Sequence, residues 1–418
     1  MRIITCVLIL LVLSLDTVAQ RQDKVPYKVS HDRAEQIVSK VLRTTPIIDG
    51  HNDLYRYFLN CKECPRKIEE FPLNSETKGN TDIPKYRRGG VGGQLYNVYG
   101  KDRNMTSLIE AFDLMHRLEN AYPDDLRIVC SSSEMRSTIK QRKIAILPML
   151  EGSVLLQNNF ALLRMYYRMG LRSVTFAYQT NDLADGSDDA PKHNGISELG
   201  RRMVSEMNRL GVIIDLSHIS AASMRDILKT SKAPVLFSHS NAYELCKVNR
   251  NVPDDVLRAL KENRGIVMVN FVPFFVSQKH ADWIKAAETA WKIKFAETKD
   301  EKLADRYYEN VWLKANPEPQ VNVSDVADHF DHIRKVIGVD YIGIGADYYE
   351  DAEYKIKELS DASAYPKLLI ELARRGWMEH ELKKITNENF LRVFDEVERK
   401  AAVLSKTTPP TLNTELTK

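Results

Sequence analysis

The sequence predicts a (β/α)₈ barrel of the TIM-barrel type, on the basis of short apolar runs, intervening amphipathic stretches and chain length. The runs occur at 46–50, 94–98, 145–150, 171–177, 212–216, 234–238, 266–271 and 341–346. Short runs rich in β-branched residues and bordered by turn residues are typical of strands buried on both faces. Eight such strands alternating with helices favour a closed barrel over an open doubly wound sheet. The 418 residues and 43% hydrophobic content suffice for one such domain.

The first residues have the pattern of a secretory signal peptide. Arg2 precedes the apolar stretch 3–15, and small residues follow at 17 and 19. A membrane-spanning helix needs roughly 20 apolar residues, so a cleaved signal over 1–19 is the preferred interpretation. We therefore expect a secreted protein, with one barrel domain over residues 20–400.

Helix starts can be predicted from side chains able to accept hydrogen bonds from free backbone N–H groups. An amphipathic helix is expected over residues 32–42, with Asp32 as its cap. Later helices are expected after three further capping residues: Ser220 before a short helix, Asn251 before 252–263 and Ser324 before 325–337.

Two segments differ from this alternation. The insertion 272–320, between the seventh and eighth strands, is rich in aromatic and charged residues. It predicts either a lid over the barrel mouth or a helical pair packed on the barrel side. The polar tail 401–418 is expected to be disordered, and it lacks the hydrophobic stretch of a lipid-anchor signal.

The composition argues against several classes of partner. With 60 basic and 57 acidic residues, the net charge of +3 indicates neither nucleic acid nor an anionic membrane surface. The glycines at 89, 90, 92 and 93 precede a strand and no Gly-Lys-Ser/Thr follows, so a crowded strand entry is expected instead of a phosphate loop.

The cysteines and sequons fit an oxidising secretory route. Cys61-Lys62-Glu63-Cys64 could be half a zinc site or a redox motif, but with no second Cys-x-x-Cys and with charged, loop-like flanks a local disulfide is the preferred interpretation. Cys130 is expected to be a buried thiol, and Cys246 completes the set of four that remain after signal removal. Asn104 and Asn322 begin glycosylation sequons.

Five potential metal ligands, His51, Asp53, Glu151, His218 and His239, each stand at or just beyond the end of an apolar run. In a parallel barrel such positions meet at one mouth. Imidazole nitrogens and carboxylate oxygens are ligands of zinc. The sequence therefore predicts a two-metal hydrolase.

Three other polar residues can be assigned by their position relative to the strand ends. Asp347 ends the last strand, where it could act as a general acid or base. His329 and His332 precede no strand end, so we expect packing or surface roles for both.

Seven motifs follow one another along the chain: Ile48-Asp49-Gly50-His51-Asn52-Asp53, Glu151-Gly152, Met207-Asn208-Arg209-Leu210-Gly211, Asp215-Leu216-Ser217-His218, Phe237-Ser238-His239-Ser240, Arg250-Asn251-Val252-Pro253-Asp254-Asp255 and Gly343-Ile344-Gly345-Ala346-Asp347. Together they resemble the membrane (renal) dipeptidase family of zinc peptidases, over roughly residues 35–397. The longer loop at 272–320 is similar to that of bacterial-type members.

The resemblance implies a metallo-dependent hydrolase barrel that cleaves dipeptides with two zinc ions. His51 and Asp53 would bind the first ion and His218 and His239 the second, while Glu151 would bridge both. A hydroxide shared by the ions would attack the scissile carbonyl.

The resemblance also implies roles for residues outside the metal site. Asp347 would transfer the proton to the leaving amine. Arg250 would hold the terminal carboxylate of the substrate, where a planar bidentate donor has an advantage. Family members form dimers, so the resemblance allows a homodimer.

The chain departs from the mammalian pattern at several positions. Tyr178 stands where those enzymes have a carbonyl-polarising histidine, and it could still donate one hydrogen bond. Tyr348-Tyr349-Glu350 follows Asp347 in place of Phe-Asp-Gly, so the pocket rim is expected to differ. The anchor signal and a cysteine near the carboxyl end that could link two subunits have no counterpart here.

Two alternative functions are compatible with parts of the sequence. One is a secreted binding protein on a catalytically impaired barrel, motivated by Tyr178 and the altered rim. The other is a different amidohydrolase reaction such as deamination, but those barrels more often begin with His-x-His and use a modified lysine. The presence of the full ligand set favours the secreted zinc dipeptidase.

Overall fold

The computed structural model describes residues 27–60, 67–98, 104–349 and 355–413. The expected signal peptide and the expected Cys61–Cys64 disulfide lie outside these residues. Within them, nine parallel strands are described: β1 Ile47–Asn52, β2 Val91–Asn97, β3 Leu126–Ile128, β4 Ile144–Leu150, β5 Ser173–Thr175, β6 Ile213–Asp215, β7 Leu236–Phe237, β8 Ile266–Val269 and β9 Ile342–Ile344.

Eight of these strands close into a barrel. Their order is β2-β1-β9-β8-β7-β6-β5-β4, and the ring closes because β2 also pairs with β4, for example Gly93 with Ala145. Each of the eight predicted strands overlaps one strand of the ring, so the predicted fold class is confirmed.

The strand β3 was not predicted. It pairs with the start of β4, with Ile128 opposite Ile146. Its three residues include an exposed Arg127, so the segment carries no apolar run long enough to reveal a strand. This is the physical reason for the omission.

Helices surround the barrel. Those in the described residues are α1 His31–Thr44, α2 Leu54–Asn60, α3 Ile83–Gly89, α4 Met105–Ala121, α5 Ser132–Lys140, α6 Phe160–Arg168, α7 Glu198–Leu210, α8 Ala221–Thr230, α9 Asp254–Asn263, α10 Pro273–Val276, α11 Gln278–Thr298, α12 Glu301–Tyr307, α13 Leu313–Ala315, α14 Val323–Ile337, α15 Tyr365–Arg374, α16 Glu379–Lys383 and α17 Asn389–Thr407.

The helix caps agree only partly with the sequence predictions. The Ser220 side chain caps α8, as predicted, by accepting a hydrogen bond from Ser223 N. Helix α1 is capped by Ser30 and not by Asp32, which lies inside the first turn. The prediction chose the wrong residue because a capping residue must precede the helical dihedrals, and these begin at His31.

Two further caps were predicted wrongly. Helix α9 begins after Pro253, and the Asn251 amide instead donates to the carbonyls of Cys246 and Phe275. Helix α14 begins at Val323, where the Asp325 carboxylate accepts from Asn322 N at 2.7 Å. In α9 the capping residue is Pro253, which has no N–H group to satisfy. In α14 the Asp325 carboxylate satisfies the N–H group of Asn322.

Two barrel glycines allow an unusually close approach of strands near the barrel mouth. A Cβ atom on Gly50 would lie 2.2 Å from the Ser238 carbonyl oxygen, and one on Gly345 only 1.9 Å from it. No side chain can be accommodated at either position. The ends of β1 and β9 therefore lie tightly against the segment that follows β7.

The insertion 272–320 is helical. It contains α10 to α13 and a π-helical turn at Tyr308–Trp312. The insertion has a small apolar core of its own, formed around Trp283 and Trp312. Trp283 Nε1 donates to Asn316 O at 2.9 Å. His329 of α14 ties its base to the barrel through the Val276 carbonyl, at 2.9 Å. A role as a lid stays a prediction.

The carboxyl-terminal boundary lies later than predicted. Helix α17 continues to Thr407, so the segment expected to be disordered from residue 401 begins as helix. Ala401 extends its buried face, which also includes Val393 and Val397. Beyond the helix, Asn413 Oδ1 accepts a hydrogen bond from Phe160 N at 3.0 Å. Apolar periodicity reaching Ala401 is the physical reason for the correction.

Cys130 and Cys246 are free thiols in the described part of the chain. Cys246 is buried and Cys130 half-buried, where burial raises the pKa of both thiols. Across the described ranges, no helix combines the length and apolar character needed to cross a membrane.

Candidate active site

The five predicted metal ligands converge at the carboxyl end of the barrel. His51 lies in β1 and Asp53 directly after it, while Glu151 follows β4. His218 and His239 follow β6 and β7. Four of the five are buried and His218 is half-buried. Residues up to 188 positions apart therefore meet, as parallel strands predict.

The Glu151 carboxylate is the centre of the cluster. Its Oε1 atom lies 2.9 Å from His218 Nε2, 3.4 Å from His239 Nε2 and 3.7 Å from His51 Nε2. The Nε2 atoms of His218 and His239 are themselves 3.0 Å apart. One carboxylate oxygen thus faces three imidazole nitrogens.

Two further carboxylates face His51 from the other side. Its Nε2 atom lies 3.6 Å from Asp53 Oδ1 and 3.9 Å from Asp347 Oδ1. Ligand atoms of His51, Glu151 and His239 form one compact group, and those of His51, Asp53 and Asp347 form another. The structure therefore brings Asp347 into the same cluster as the five predicted ligands.

Two of these residues have left-handed backbone conformations. His218 has φ 70° and Asp347 has φ 62°. Such values are uncommon outside glycine and concentrate at functional sites. A hydrogen bond of 2.8 Å from Ser187 N to the His218 carbonyl helps to hold the first of them.

The protonation of the cluster follows from burial and mutual charge. Burial alone would lower the pKa of His51, but the carboxylates of Glu151, Asp53 and Asp347 raise it to about 10. Burial lowers the pKa of His218 and His239, and the nearby Arg250 lowers both further. The lowered pKa keeps His218 and His239 neutral, and a neutral imidazole has the free lone pair that binds a metal ion.

The pKa values of the carboxyl groups of Glu151 and Asp347 are shifted in opposite directions. Burial would raise the pKa of Glu151, but His51 and His218 hold it well below its usual value. For Asp347 burial prevails over the attraction of His51, and its pKa rises to about 6. Their environments therefore distinguish two carboxyl groups of one cluster.

The donor set fits a divalent metal ion of the zinc type. Neither ring nitrogen of His51 has a hydrogen-bond partner among the described residues, although both are buried. Buried polar atoms normally have partners. An imidazole without one, beside converging imidazole and carboxylate groups, has the composition of a zinc centre.

Arg250 lies beside this cluster in a buried position. Its Nη1 donates to Ser240 Oγ at 3.2 Å and its Nη2 to the His239 carbonyl at 3.4 Å. Its guanidinium lies 5.4 Å from the ring centre of Phe275. Since this buried cation has no carboxylate within salt-bridge distance among the described residues, it can receive an anionic group of a ligand.

Tyr178 lies at the rim of the site, where it is 38% exposed. Its ring centre lies 4.4 Å from that of His218, and its Cβ packs close to Gly152. The residue is therefore near the cluster, as predicted, without being part of its buried core.

The first of the altered residues after Asp347 packs inward. The Tyr348 side chain is buried and donates to the carbonyls of Leu359 and Asp361. It therefore contributes to the core. Glu350 lies outside the described residues.

Two asparagines of the site were missed by sequence reasoning. Asn97 Nδ2 donates to Asp53 Oδ1 at 2.8 Å and to Glu151 Oε2 at 3.0 Å. Asn270 Nδ2 donates to Asp347 Oδ2 at 2.8 Å. Asn97 ends β2 and Asn270 follows β8, so the position used for the ligands could have found them.

The predicted packing histidines lie away from the cluster. His329 is buried and its Nδ1 accepts from Ala242 N at 3.1 Å. His332 pairs with Asp254 at 2.7 Å. Both structural assignments are confirmed.

Comparisons with known proteins agree with this architecture. The family model described as membrane dipeptidase (peptidase family M19) matches residues 35–408. The chain is 35% identical over 381 residues to dipeptidase 3 of Rattus norvegicus, covering 88% of this chain and 69% of that protein.

Solved structures share the fold. One is PvdM of Pseudomonas aeruginosa, described as a probable dipeptidase, with a TM-score of 0.76 and 21% identity over 88% of this chain and all of that one. Another is a metallopeptidase of Rhodobacter sphaeroides bound to a phosphinate mimic of the dipeptide L-Ala-D-Ala. Its TM-score is 0.68 at 21% identity, over 84% of this chain and 99% of that one.

Proposed function

The chain belongs to the membrane dipeptidase family, peptidase family M19, and from this membership we propose that it is a secreted dipeptidase with two zinc ions. The single observation that carries the proposal is the convergence of three imidazoles on Glu151 Oε1, at 2.9 to 3.7 Å. Replacing buried ionic groups with packed apolar residues is often neutral or stabilising, so stability alone does not account for a cluster of this composition.

We propose that His51 and Asp53 hold one zinc ion, that His218 and His239 hold the other, and that Glu151 bridges them. When bound, the two cations would supply Lewis acidity, which would lower the pKa of a bound water and polarise the scissile carbonyl. Glu151 is kept ionised by the neighbouring imidazoles and Asn97 orients it. Burial keeps bulk water from competing for these ligands.

Asp347 is proposed as the proton carrier of the reaction. Its Oδ1 faces the cluster while its Oδ2 accepts from Asn270, so one oxygen is held and the other is available. A carboxylate in this position can receive the proton of the attacking water and return it to the leaving amine.

Arg250 is proposed to bind the terminal carboxylate of the substrate. A planar guanidinium can donate two parallel hydrogen bonds to a carboxylate. Its guanidinium is held beside the cluster by the His239 carbonyl and the Ser240 hydroxyl, so a carboxylate bound to it would lie close to the proposed metal site. This supports a preference for dipeptides over longer peptides.

Tyr178 is proposed to donate a hydrogen bond to the substrate carbonyl oxygen from the rim. Its ring packs on His218, so its hydroxyl has a defined direction. A phenol is neutral, and such a donor stabilises negative charge that develops on the oxygen.

The experiment that tests the proposal combines metal analysis with hydrolysis assays. The purified protein should carry about two zinc ions per chain. It should cleave dipeptides, including L-Ala-D-Ala, and lose this activity when a chelator removes the metal. A tripeptide panel serves as the control for length. Bound zinc without hydrolysis of any dipeptide would favour a binding protein on the same barrel.

We further propose secretion and glycosylation. The apolar stretch 3–15 and the small residues before Gln20 support cleavage after Ala19. Asn104 and Asn322 are both exposed, so a glycosyltransferase could reach them. Amino-terminal sequencing of protein from the culture medium should begin at Gln20, and glycosidase treatment should lower its mass. A homodimer is proposed only by analogy with the family.

A further inference from the structure

The buried carboxylate of Asp215 lies behind the cluster and takes no direct part in it. It ends β6, three residues before His218. Its Oδ1 accepts hydrogen bonds from Ser217 N at 3.1 Å and Ser238 N at 2.8 Å. Its Oδ2 accepts from Thr175 Oγ1 at 2.5 Å and Ser238 Oγ at 2.7 Å. Four donors therefore surround one carboxylate.

Ser238 connects this carboxylate to a proposed metal ligand. Its Oγ atom lies 2.7 Å from Asp215 Oδ2 and 2.6 Å from His239 Nδ1. A serine hydroxyl has one proton and two lone pairs, so it can donate to only one of these neighbours. The other neighbour must then donate to the serine.

The direction of these hydrogen bonds follows from the chemistry of the carboxylate. An ionised carboxylate only accepts, so Ser238 must donate to Asp215. If Ser238 instead donated to His239, a serine lone pair would face a carboxylate oxygen at 2.7 Å. Ser238 therefore accepts from His239, which requires a proton on Nδ1 of that imidazole.

The arrangement fixes the tautomer of His239. With its proton on Nδ1, a neutral imidazole has its lone pair on Nε2. This Nε2 atom faces Glu151 Oε1 at 3.4 Å and His218 Nε2 at 3.0 Å. The lone pair therefore points to where the proposed metal ion would bind.

We propose that Asp215, acting through Ser238, is a positioning residue that sets the metal-binding tautomer of His239. The proposal rests on the proposed function, since it assigns the orientation of one ligand of that site. Partners of this kind, which hold the second nitrogen of a metal-binding histidine, raise metal affinity by orienting the ring. The motifs around His218 and His239 contain both residues, but the sequence indicated no role for either.

The Asp215→Asn substitution should reverse the chain of donors. Two backbone N–H groups, of Ser217 and Ser238, face Oδ1, so the asparagine oxygen must take that place. Its Nδ2 group then faces Ser238 Oγ and donates to it. The Ser238 hydroxyl in turn donates to His239 Nδ1, and the proton of the imidazole moves to Nε2.

The Ser238→Ala substitution should have a milder effect. It removes the connection but leaves His239 free to adopt either tautomer. Thr175→Val is the matched control, because it removes one hydrogen bond from Asp215 without touching Ser238 or His239. All three changes are nearly equal in volume to the original side chains or smaller than them.

The experiment compares the full-length wild type and the three variants in their zinc affinity, measured by competition with a chelator. Loss of such a partner lowers metal affinity about 10- to 100-fold, so we expect about 10-fold for Ser238→Ala and about 100-fold for Asp215→Asn. Thr175→Val should bind zinc like the wild type.

A second measurement reads the tautomer directly and does not depend on activity. In protein labelled with ¹⁵N-histidine, the His239 signals are identified by their loss in His239→Asn. We expect a proton on Nδ1 in the wild type and on Nε2 in Asp215→Asn. Circular dichroism establishes whether each variant is folded. If Asp215→Asn does not fold, Ser238→Ala still tests the proposal.

The outcomes separate the two proposals. Equal zinc affinity in the wild type and in Ser238→Ala, or a proton on Nε2 of His239 in the wild type, would overturn the positioning role. A wild type that binds no zinc would instead overturn the proposed function. A loss in Thr175→Val as large as that in Ser238→Ala would assign the effect to general destabilisation and also reject the positioning role.

Discussion

Asn97 and Glu151 hold each other by a reciprocal pair of hydrogen bonds. Asn97 Nδ2 donates to Glu151 Oε2 at 3.0 Å, and Glu151 N donates back to Asn97 Oδ1 at 3.1 Å. The same Nδ2 group also donates to Asp53. One amide at the end of β2 therefore orients two proposed ligands that lie almost one hundred residues apart.

Asn97→Ala should weaken metal binding without changing the fold. The carboxylates of Asp53 and Glu151 would lose their common donor, and loss of such a partner costs about 10- to 100-fold in affinity. Zinc affinity by chelator competition measures the effect. Asn208→Ala is the control, because Asn208 is equally buried but hydrogen-bonds to Lys232 N, remote from the site. Equal losses in the two variants would argue against the orienting role.

Asp347→Asn should abolish most hydrolysis while leaving zinc in place. An amide cannot carry the proton from water to the leaving amine, and such groups contribute about 10²- to 10⁴-fold to rate. Steady-state kinetics and metal analysis of the same preparation test this. Asp340→Asn, at an exposed ion pair with Lys384, is the control. Wild-type turnover in Asp347→Asn would remove this residue from the mechanism.

Arg250→Lys should impair the binding of dipeptides through their terminal carboxylate. Lysine keeps the charge but loses the bidentate geometry, and a hydrogen bond to a charged group is worth about 1.5–3 kcal/mol. We therefore expect kcat/KM to fall about 10- to 100-fold, mainly through KM. A dipeptide amide, which has no such carboxylate, should react equally with both proteins. Arg258→Lys, on the surface of α9, is the control.

Tyr178→Phe should lower kcat about 10-fold, because it removes one donor to a developing negative charge. The phenyl ring keeps the packing on His218, so zinc content should not change. Tyr178→His, which restores the residue typical of the mammalian enzymes, should keep most of the activity. A Tyr178→Phe variant with unchanged kcat would mean that the hydroxyl does not contact the substrate.

The sequence could predict the proposed ligands because each is a polar residue at or just beyond the end of an apolar run. Glu151 and His239 are examples, since the strands before them are buried and a polar group buried at a strand end is costly unless it has a partner. Parallel topology then brings the ends together, whatever their separation along the chain. The fold class and the membership of the cluster therefore follow from local patterns.

The supporting residues could not be predicted in the same way. Asp215 lies within an apolar run and Ser238 is a small polar residue, so neither is unusual in sequence. Their significance depends on hydrogen bonds between neighbouring strands, such as that from Ser238 Oγ to Asp215 at 2.7 Å. Strand pairing and side-chain rotamers determine these contacts, and a single sequence specifies neither directly.

The buried His329 should make stability depend on pH below neutrality. Its Nδ1 accepts from Ala242 N at 3.1 Å, so the proton lies on Nε2, which donates to the Val276 carbonyl at 2.9 Å. Protonation of Nδ1 would break the first bond and place a charge in the core. Burial accordingly lowers the pKa of His329 from 6.5 to about 4.

The direction of the pH dependence follows from the difference in proton binding between the unfolded and the folded chain. Between pH 6.5 and 4 the unfolded chain binds a proton at this histidine and the folded chain does not, so stability falls as the pH falls. The full difference corresponds to about 3 kcal/mol, at about 1.4 kcal/mol for each pKa unit. Above pH 6.5 both states are neutral at this position and the contribution is complete.

His329→Asn tests this relationship, because its Oδ1 can accept from Ala242 N without titrating. Denaturant unfolding of both proteins gives the difference in free energy of unfolding at each pH. The wild type should be the more stable at pH 7, since only histidine also bonds the Val276 carbonyl. As the pH falls towards 4 the difference should shrink by up to about 3 kcal/mol. A difference that stays constant across this range would mean that His329 is not kept neutral by the fold.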